Sequence, residues 1–290
     1  MPRHRMMLLA CLLGSACAKH KPPAELAALE TRVAYLEETL AKREEALKFL
    51  DMAYEARLDQ ETRPAPGTVY GVDIAQNLAL GQVIGPPDAL VTIVKAWDFA
   101  CPHCYRSSLI LDELLDEYQG KVRLVLKHMV VHPQQVAAAH LAACAAAKQG
   151  KFREFYKAFW TDGYQAYADR RDESLLGPDN VLKIASGVGL DANRLQADMP
   201  SCQQVIAADE AELRKFKVGG TPAFFINGEY IGGGIPKATF KQYIDRKLDI
   251  AARSGVPGAD YYAKEIRGKG EQSVQRPGTK PASPPAGGSR

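Results

Sequence analysis

The chain has 290 residues, 46% of them hydrophobic and 24% charged, with a formal net charge of +3. That length supports one well-buried domain with further segments around it. The small charge, with no basic stripe interleaved with aromatics, excludes a nucleic-acid partner from the reading.

Residues 1–17 read as a secretion signal. Arg3, His4 and Arg5 make a basic start, Met6 to Leu13 a short apolar core, and Gly14-Ser15-Ala16 leads to Cys17. The core is too short to span a bilayer as a helix. Small residues directly before a cysteine resemble the bacterial lipobox, which implies lipidation of Cys17 and a mature N-terminus there. Cys11, after Leu-Leu-Ala, is a rival, and an ordinary signal cut near Ala16 or Ala18 is the plainer alternative. Each places the protein outside the cytoplasm, where disulfides persist. Four of the six cysteines then remain, Cys101, Cys104, Cys144 and Cys202, an even number that suits two pairs.

Residues 24–61 are rich in Ala, Leu and Glu and contain no Gly or Pro. Leu26, Leu29, Val33, Leu36, Leu40, Leu47, Leu50 and Tyr54 recur at alternating steps of three and four, the seam of a heptad repeat. Arg43 and Arg57 fall on that seam and weaken it, while Arg32 and Glu37 are placed to pair between parallel chains. The pattern predicts a coiled-coil helix and a homo-oligomer of two or three chains. A lone amphipathic helix packed on its own domain is the alternative. Arg63-Pro64-Ala65-Pro66-Gly67 stops the helix, and 62–75 reads as a linker. Residues 268–290, dominated by Gly, Pro, Ser, Lys and Arg, read as a disordered tail.

Between these lies a domain over 76–255. Leu90 to Phe99 is an apolar, β-branched run expected of a buried central strand. A helix comes next, from Cys101 or Pro102 to Tyr118, then a strand at Val122 to Val131. The helical connection makes the two strands parallel. Residues 133–217 read as a helical insertion with breaks near Gly150, Gly163, Gly177 and Pro200. A strand returns at Ala223 to Ile226, Asn227-Gly228 turns the chain into Tyr230-Ile231, and a last helix covers 236–252. This order predicts an α/β thioredoxin fold with an inserted α-helical domain, preceded by the coiled-coil helix.

Cys101-Pro102-His103-Cys104 sits where a strand ends and a helix begins. The helix N-terminus offers unpaired N–H groups and a partial positive charge, and both stabilise a thiolate on Cys101. Pro102 suits the first helical turn, and His103 can add a hydrogen bond or a charge. Cys104, one turn deeper, is the resolving thiol. Stabilising the reduced thiolate makes the oxidised pair ready to accept electrons. A second motif, Gly219-Gly220-Thr221-Pro222-Ala223-Phe224-Phe225, puts Thr-Pro before a strand. A cis proline there leaves the Thr221 backbone free to pair with a substrate strand. An ordinary trans proline is the alternative.

With Trp97-Asp98-Phe99-Ala100 ahead of the cysteines, Tyr105 after them, the helical insertion and the Thr-Pro motif running to Gly228, residues 76–252 resemble the DsbA-like thioredoxin-fold family of periplasmic disulfide oxidoreductases. The resemblance implies a nucleophilic Cys101, a cis Pro222 and substrate binding near Gly220 and Thr221. It also implies a structural disulfide between Cys144 and Cys202, with two buried free cysteines as the alternative. Six residues before Cys101 the family often has a buried acid that helps move protons at the resolving cysteine. Here that position is Lys95, either a cation beside the thiols or a side chain reaching solvent over a buried stem. Asp98 is expected to face the other way.

The expected activity is introduction of disulfides into cysteine-containing exported proteins, with a membrane or periplasmic redox partner. A coiled-coil-linked isomerase or reductase is the first alternative, and a membrane-tethered scaffold or copper-binding protein the second. No cofactor and no metal site is expected. His128, His132 and His140 share no helix face and read as structural or surface residues. Phe152, Phe155, Phe159 and Trp160 read as core. The location expected is the periplasm, on a lipid anchor, with the outer membrane favoured by the residue after Cys17.

Overall fold

The computed structural model describes residues 24–274. The expectations for the signal, for Cys11 and Cys17, and for the tail beyond 274 lie outside that range. The chain divides into two units, one ending at Asp59 and the other running from Gln60.

The described part of the first unit belongs to helix α1, Ala24–Glu61, 38 residues long. Its composition of strong helix formers, with no glycine or proline, carries it without a break. Pairs such as Glu38–Lys42 and Glu44–Lys48 add a few tenths of a kcal/mol each. Leu26, Leu29, Val33, Leu36, Leu40, Leu47, Leu50 and Tyr54 are all exposed, so the heptad seam lies open.

The second unit is built on a sheet of five strands in the order β1-β3-β2-β4-β5. β2 (Val91–Trp97) and β3 (Val122–His128) run parallel, joined by α3 (Pro102–Glu117). β4 (Ala223–Ile226) lies antiparallel on the other side of β2, and Asn227-Gly228 turns it into β5 (Glu229–Gly232). Asn227 and Gly228 both take positive φ, 43° and 80°. A Cβ on Gly228 would lie 2.7 Å from the Tyr70 carbonyl, so only glycine fits there. Every residue of β2 and β3 is buried, because both sheet faces are covered. Val91, Ile93 and Trp97 pack with the helical insertion, whereas Val94, Ala96 and Phe225 pack with Tyr70, Tyr261 and Ile266. β1 (Val83–Ile84) pairs with β3 and is too short to announce itself in the sequence.

The insertion runs through α4 (Pro133–Lys148), α5 (Phe152–Ala158), a π-helical stretch at Phe159–Gln165, α6 (Ala166–Arg170), a 3₁₀ turn, α7 (Pro178–Gly187) and α8 (Ala192–Lys215). Two expected breaks are absent. Gly163 lies inside the π-helical stretch, where the Phe159 ring occupies the space a Cβ would need. Pro200 lies inside α8, whose buried Leu195, Cys202, Asp209 and Leu213 anchor the helix on both sides of it. Tertiary packing here overrides a local breaker.

The domain is also wider than 76–255. In the expected linker, Tyr70, Val72 and Ile74 are core residues, and Tyr70 N–H donates to the Gly228 carbonyl at 2.8 Å. After α9 (Lys237–Ser254) come α10 (Gly258–Tyr261) and a π-helical turn to Arg267. Residues 268–274, expected to be disordered, are held by backbone bonds from Gly71 to Glu271, Glu271 to Val69 and Val274 to Lys215. Composition misled here because main-chain pairing, not side-chain burial, holds these residues.

Candidate active site

β2 ends at Trp97, and Asp98 shapes the turn between the strand and α3. Its buried carboxylate accepts from the N–H groups of Ala100 at 2.7 Å, Val131 at 2.7 Å and His132 at 3.0 Å, and meets His132 Nδ1 at 3.1 Å. The sequence reading gave Asp98 no part in the site. The signal was an Asp two residues before a free N–H, the pattern of an Asx turn. This turn leaves Cys101 as the N-cap of α3, with Pro102 in the first turn. The orphan N–H groups of that helix end then face the Cys101 sulfur.

Cys101 and Cys104 are both free thiols. From 120 residues further along the chain, the Thr221 carbonyl comes within 3.3 Å of Cys101 Sγ and accepts its hydrogen. The Thr221–Pro222 peptide is cis. The Thr221 carbonyl expected to be free for substrate is therefore engaged only while Cys101 is protonated. Cys101 is held down to about 5, chiefly by a hydrogen bond from the Cys104 thiol. Burial opposes this, while the Thr221 hydroxyl and the N–H groups of Cys104 and His103 reinforce it. Cys104 is pushed well up, first by burial and then by its bond to Cys101. Pro102, His103 and Gly220 are exposed beside the pair, and Gly234 lies against the His103 ring. The arrangement gives one acidic sulfur on a residue 5% exposed beside Pro102 and His103, and one fully buried sulfur that stays protonated.

Lys95 does not reach solvent. It is fully buried on the face of β2 that carries Trp97, and its Nζ donates to the Cys104 carbonyl at 3.0 Å, Ser108 Oγ at 2.8 Å and Tyr156 OH at 3.4 Å. Ser108 and Tyr156 are themselves 2.8 Å apart. Burial lowers Lys95 to about 8, against the pull of Cys104, Cys101 and Asp112. Sequence reasoning found Lys95 but neither of its side-chain partners. Ser108, one turn after Cys104 on the buried side of α3, was the legible clue.

Phe99, Phe155, Tyr156, Phe159 and Trp160 form a buried wall around Trp97 and behind the cysteines. His128 and His140 are both fully buried and meet each other. Their Nδ1 atoms are 2.8 Å apart, and Phe99 N–H donates to His140 Nε2 at 3.3 Å. Burial lowers His128 to about 4 and His140 well below its ordinary value, so both are neutral. Cys144 of α4 and Cys202 of α8 are disulfide-bonded across 58 residues of sequence, inside the insertion. They stand apart from the reactive pair in role, as a clasp between two helices.

A family described as thioredoxin matches residues 79–246. The chain is 36% identical over 151 residues to the Na(+)/H(+) antiporter NhaA 3 of Salinispora tropica, a stretch that is 50% of this chain and 21% of that protein. The chain thus spans only about a fifth of that relative's length. Among the described residues no helix is long and apolar enough to cross a membrane. It is 27% identical over 160 residues to the thiol:disulfide interchange protein DsbL of Lelliottia amnigena, 50% of this chain and 72% of that protein. Among solved structures, the thiol-disulfide exchange protein alpha-DsbA2 of Wolbachia pipientis superposes with a TM-score of 0.50 at 19% identity. That match covers 59% of this chain and 89% of that one, and it is a likeness of fold.

Proposed function

The chain belongs to the thioredoxin family, with a DsbA-like fold, and from that premise we propose that it oxidises cysteine pairs in exported proteins through Cys101 and Cys104. In the oxidised enzyme a substrate thiolate attacks Cys101 Sγ. The Cys101–Cys104 bond breaks, Cys104 leaves with the electron pair and takes a proton, and a mixed disulfide remains. The second substrate thiolate attacks its own partner sulfur, and Cys101 leaves as a thiolate. The substrate has lost two electrons and two protons, and the cysteine pair has gained the electrons. A periplasmic or membrane oxidant then restores the disulfide. Gly220, Thr221 and Pro222 line the approach to Cys101, and His103 stands on the exposed side.

The observation that carries this reading is the unequal state of the two sulfurs, Cys101 held near 5 and Cys104 well above its usual value. A stable leaving thiolate drives oxidation of the substrate. The test is the equilibrium of the pair with glutathione, together with oxidation of a reduced peptide by wild type and Cys101→Ser. An oxidising equilibrium and loss of activity in the variant support the reading. A strongly reducing pair overturns it.

A second reading, disulfide isomerase or reductase, is favoured by the open seam of α1. Exposed leucines at heptad spacing, with Arg32 and Glu37 set to pair between chains, fit a homo-oligomer. Such an assembly presents several reactive pairs to one misfolded substrate. Reshuffling of scrambled ribonuclease that disappears on deletion of residues 24–61 supports it, and unchanged reshuffling counts against it. Both readings place the protein in the periplasm, with a lipid on Cys17 as its anchor.

A further inference from the structure

Lys95 has no role in the exchange chemistry of Cys101 and Cys104 as just derived, yet it is a fully buried cation-forming group one hydrogen bond away from the resolving cysteine's own backbone. An ammonium has three donors and no acceptor. The structure gives it three oxygens, the Cys104 carbonyl, Ser108 Oγ and Tyr156 OH, and all three are neutral. Among the described residues no carboxylate lies within ion-pair distance of it, although the charge of Asp112 is felt from α3, where that side chain pairs with Lys157. The groups that face Lys95 are thus Cys101, Cys104, Ser108 and Asp112 from α3 and Tyr156 from α5. Its strand neighbours across the sheet, Leu126 and Phe224, are apolar. A buried lysine with neutral ligands and no anionic partner is unfavourable in the resting fold. The negative charge that complements it arises when the pair is reduced, on Cys104 as the bond breaks and then on Cys101, whose pull on Lys95 remains in the reduced form.

We infer that Lys95 is the counter-charge for Cys104, held by Ser108 and Tyr156 so that it stabilises the negative charge Cys104 acquires as the leaving sulfur. When the substrate thiolate forms its bond to Cys101, the electron pair of the broken Cys101–Cys104 bond comes to rest on Cys104, out of contact with water. The ammonium beside it is the preformed charge that replaces solvent at that moment. In the reverse direction it favours the Cys104 thiolate that attacks the mixed disulfide. Ser108 and Tyr156 act as positioning residues. Tyr156 OH and Ser108 Oγ hydrogen-bond to each other at 2.8 Å, and Ser108 Oγ donates to the Cys104 carbonyl at 2.8 Å, which ties the cation to the turn that carries the sulfur.

This inference rests on the disulfide-exchange reading, and the test separates the two. Lys95→Met keeps the length of the stem and removes the charge. Single-turnover oxidation of a reduced peptide and the equilibrium with glutathione are measured on full-length protein at pH 7. We expect turnover at least tenfold slower, an equilibrium shifted about tenfold toward the disulfide form, and a far-UV spectrum like wild type. Wild-type values for both quantities in folded Lys95→Met overturn the inference. Failure of the wild type to oxidise the peptide overturns the exchange reading instead. Should Lys95→Met not fold, Tyr156→Phe decides. It keeps the cation and loosens it, so a smaller shift of the glutathione equilibrium in the same direction is expected, and no shift overturns the inference.

Discussion

In its protonated form the Cys101 sulfur donates to the carbonyl of Thr221, 120 residues later in the chain, at 3.3 Å. The reactive sulfur therefore sits between a helix end and a loop that the helical insertion separates from it in sequence. Its thiolate is expected to titrate near pH 5, as the fall in absorbance at 240 nm on acidification of the reduced protein. The thiolate stabilises the reduced fold above the ordinary thiol range, and that contribution is lost as pH falls through 5. A midpoint near 8.5, that of an unperturbed thiol, contradicts the site as described.

Cys104 is closed to solvent and protonated at neutral pH. Iodoacetamide at pH 6 is expected to modify Cys101 and spare Cys104, read by mass spectrometry of the digested protein. Cys104→Ser should trap substrates as mixed disulfides on Cys101, because the resolving sulfur is gone, and Cys101→Ser should trap none.

Lys95 weakens the fold at neutral pH. Its folded value of about 8 lies below that of an exposed lysine. The unfolded chain therefore binds more protons between about pH 8 and 10.4, and stability should rise with pH across that window. Lys95→Met removes the burden and is expected to raise stability at pH 7 by about 3 kcal/mol in urea titrations. A stabilised but slow variant is the signature of a residue kept for chemistry.

The His128–His140 pair is expected to weaken the fold in acid. Burial lowers both groups, so the unfolded chain takes up protons that the fold refuses. Stability is expected to fall as pH drops from about 6.5 toward 4, by about 3 kcal/mol from His128 alone. The variant His128→Asn/His140→Leu should show a flatter pH dependence of Tm between pH 7 and 5, even where its Tm at pH 7 is lower.

The Cys144–Cys202 bond closes a loop across 58 residues. On the chain-entropy account its removal costs about 4 kcal/mol. Cys144→Ala/Cys202→Ala should lower the urea midpoint and leave the glutathione equilibrium of Cys101 and Cys104 in place. A large change in that equilibrium would show that the clasp also shapes the reactive pair.

The sequence by itself determined the features that short-range pattern carries. Uninterrupted helix formers and the heptad spacing from Leu26 to Tyr54 specify α1. The apolar run before Cys101 specifies β2, Asn227-Gly228 specifies the hairpin, and the Cys101-Pro102-His103-Cys104 spacing specifies a dithiol at a helix start. These features depend on neighbours within a turn or two. Tertiary structure decided everything that needed a partner from afar. Pro200 stays helical because Leu195 and Cys202 are buried on either side of it. Tyr70 joins the core because a β-turn carbonyl meets its N–H. Residues 268–274 are ordered because Val69, Gly71 and Lys215 pair with them. Lys95 could be placed on a strand from the sequence. Which face it takes, and that Ser108 and Tyr156 wait there with the backbone of Cys104, is decided only once α3 and α5 pack on the same side of the sheet. A buried charge is defined by its surroundings, and those are assembled from segments that a linear pattern cannot relate.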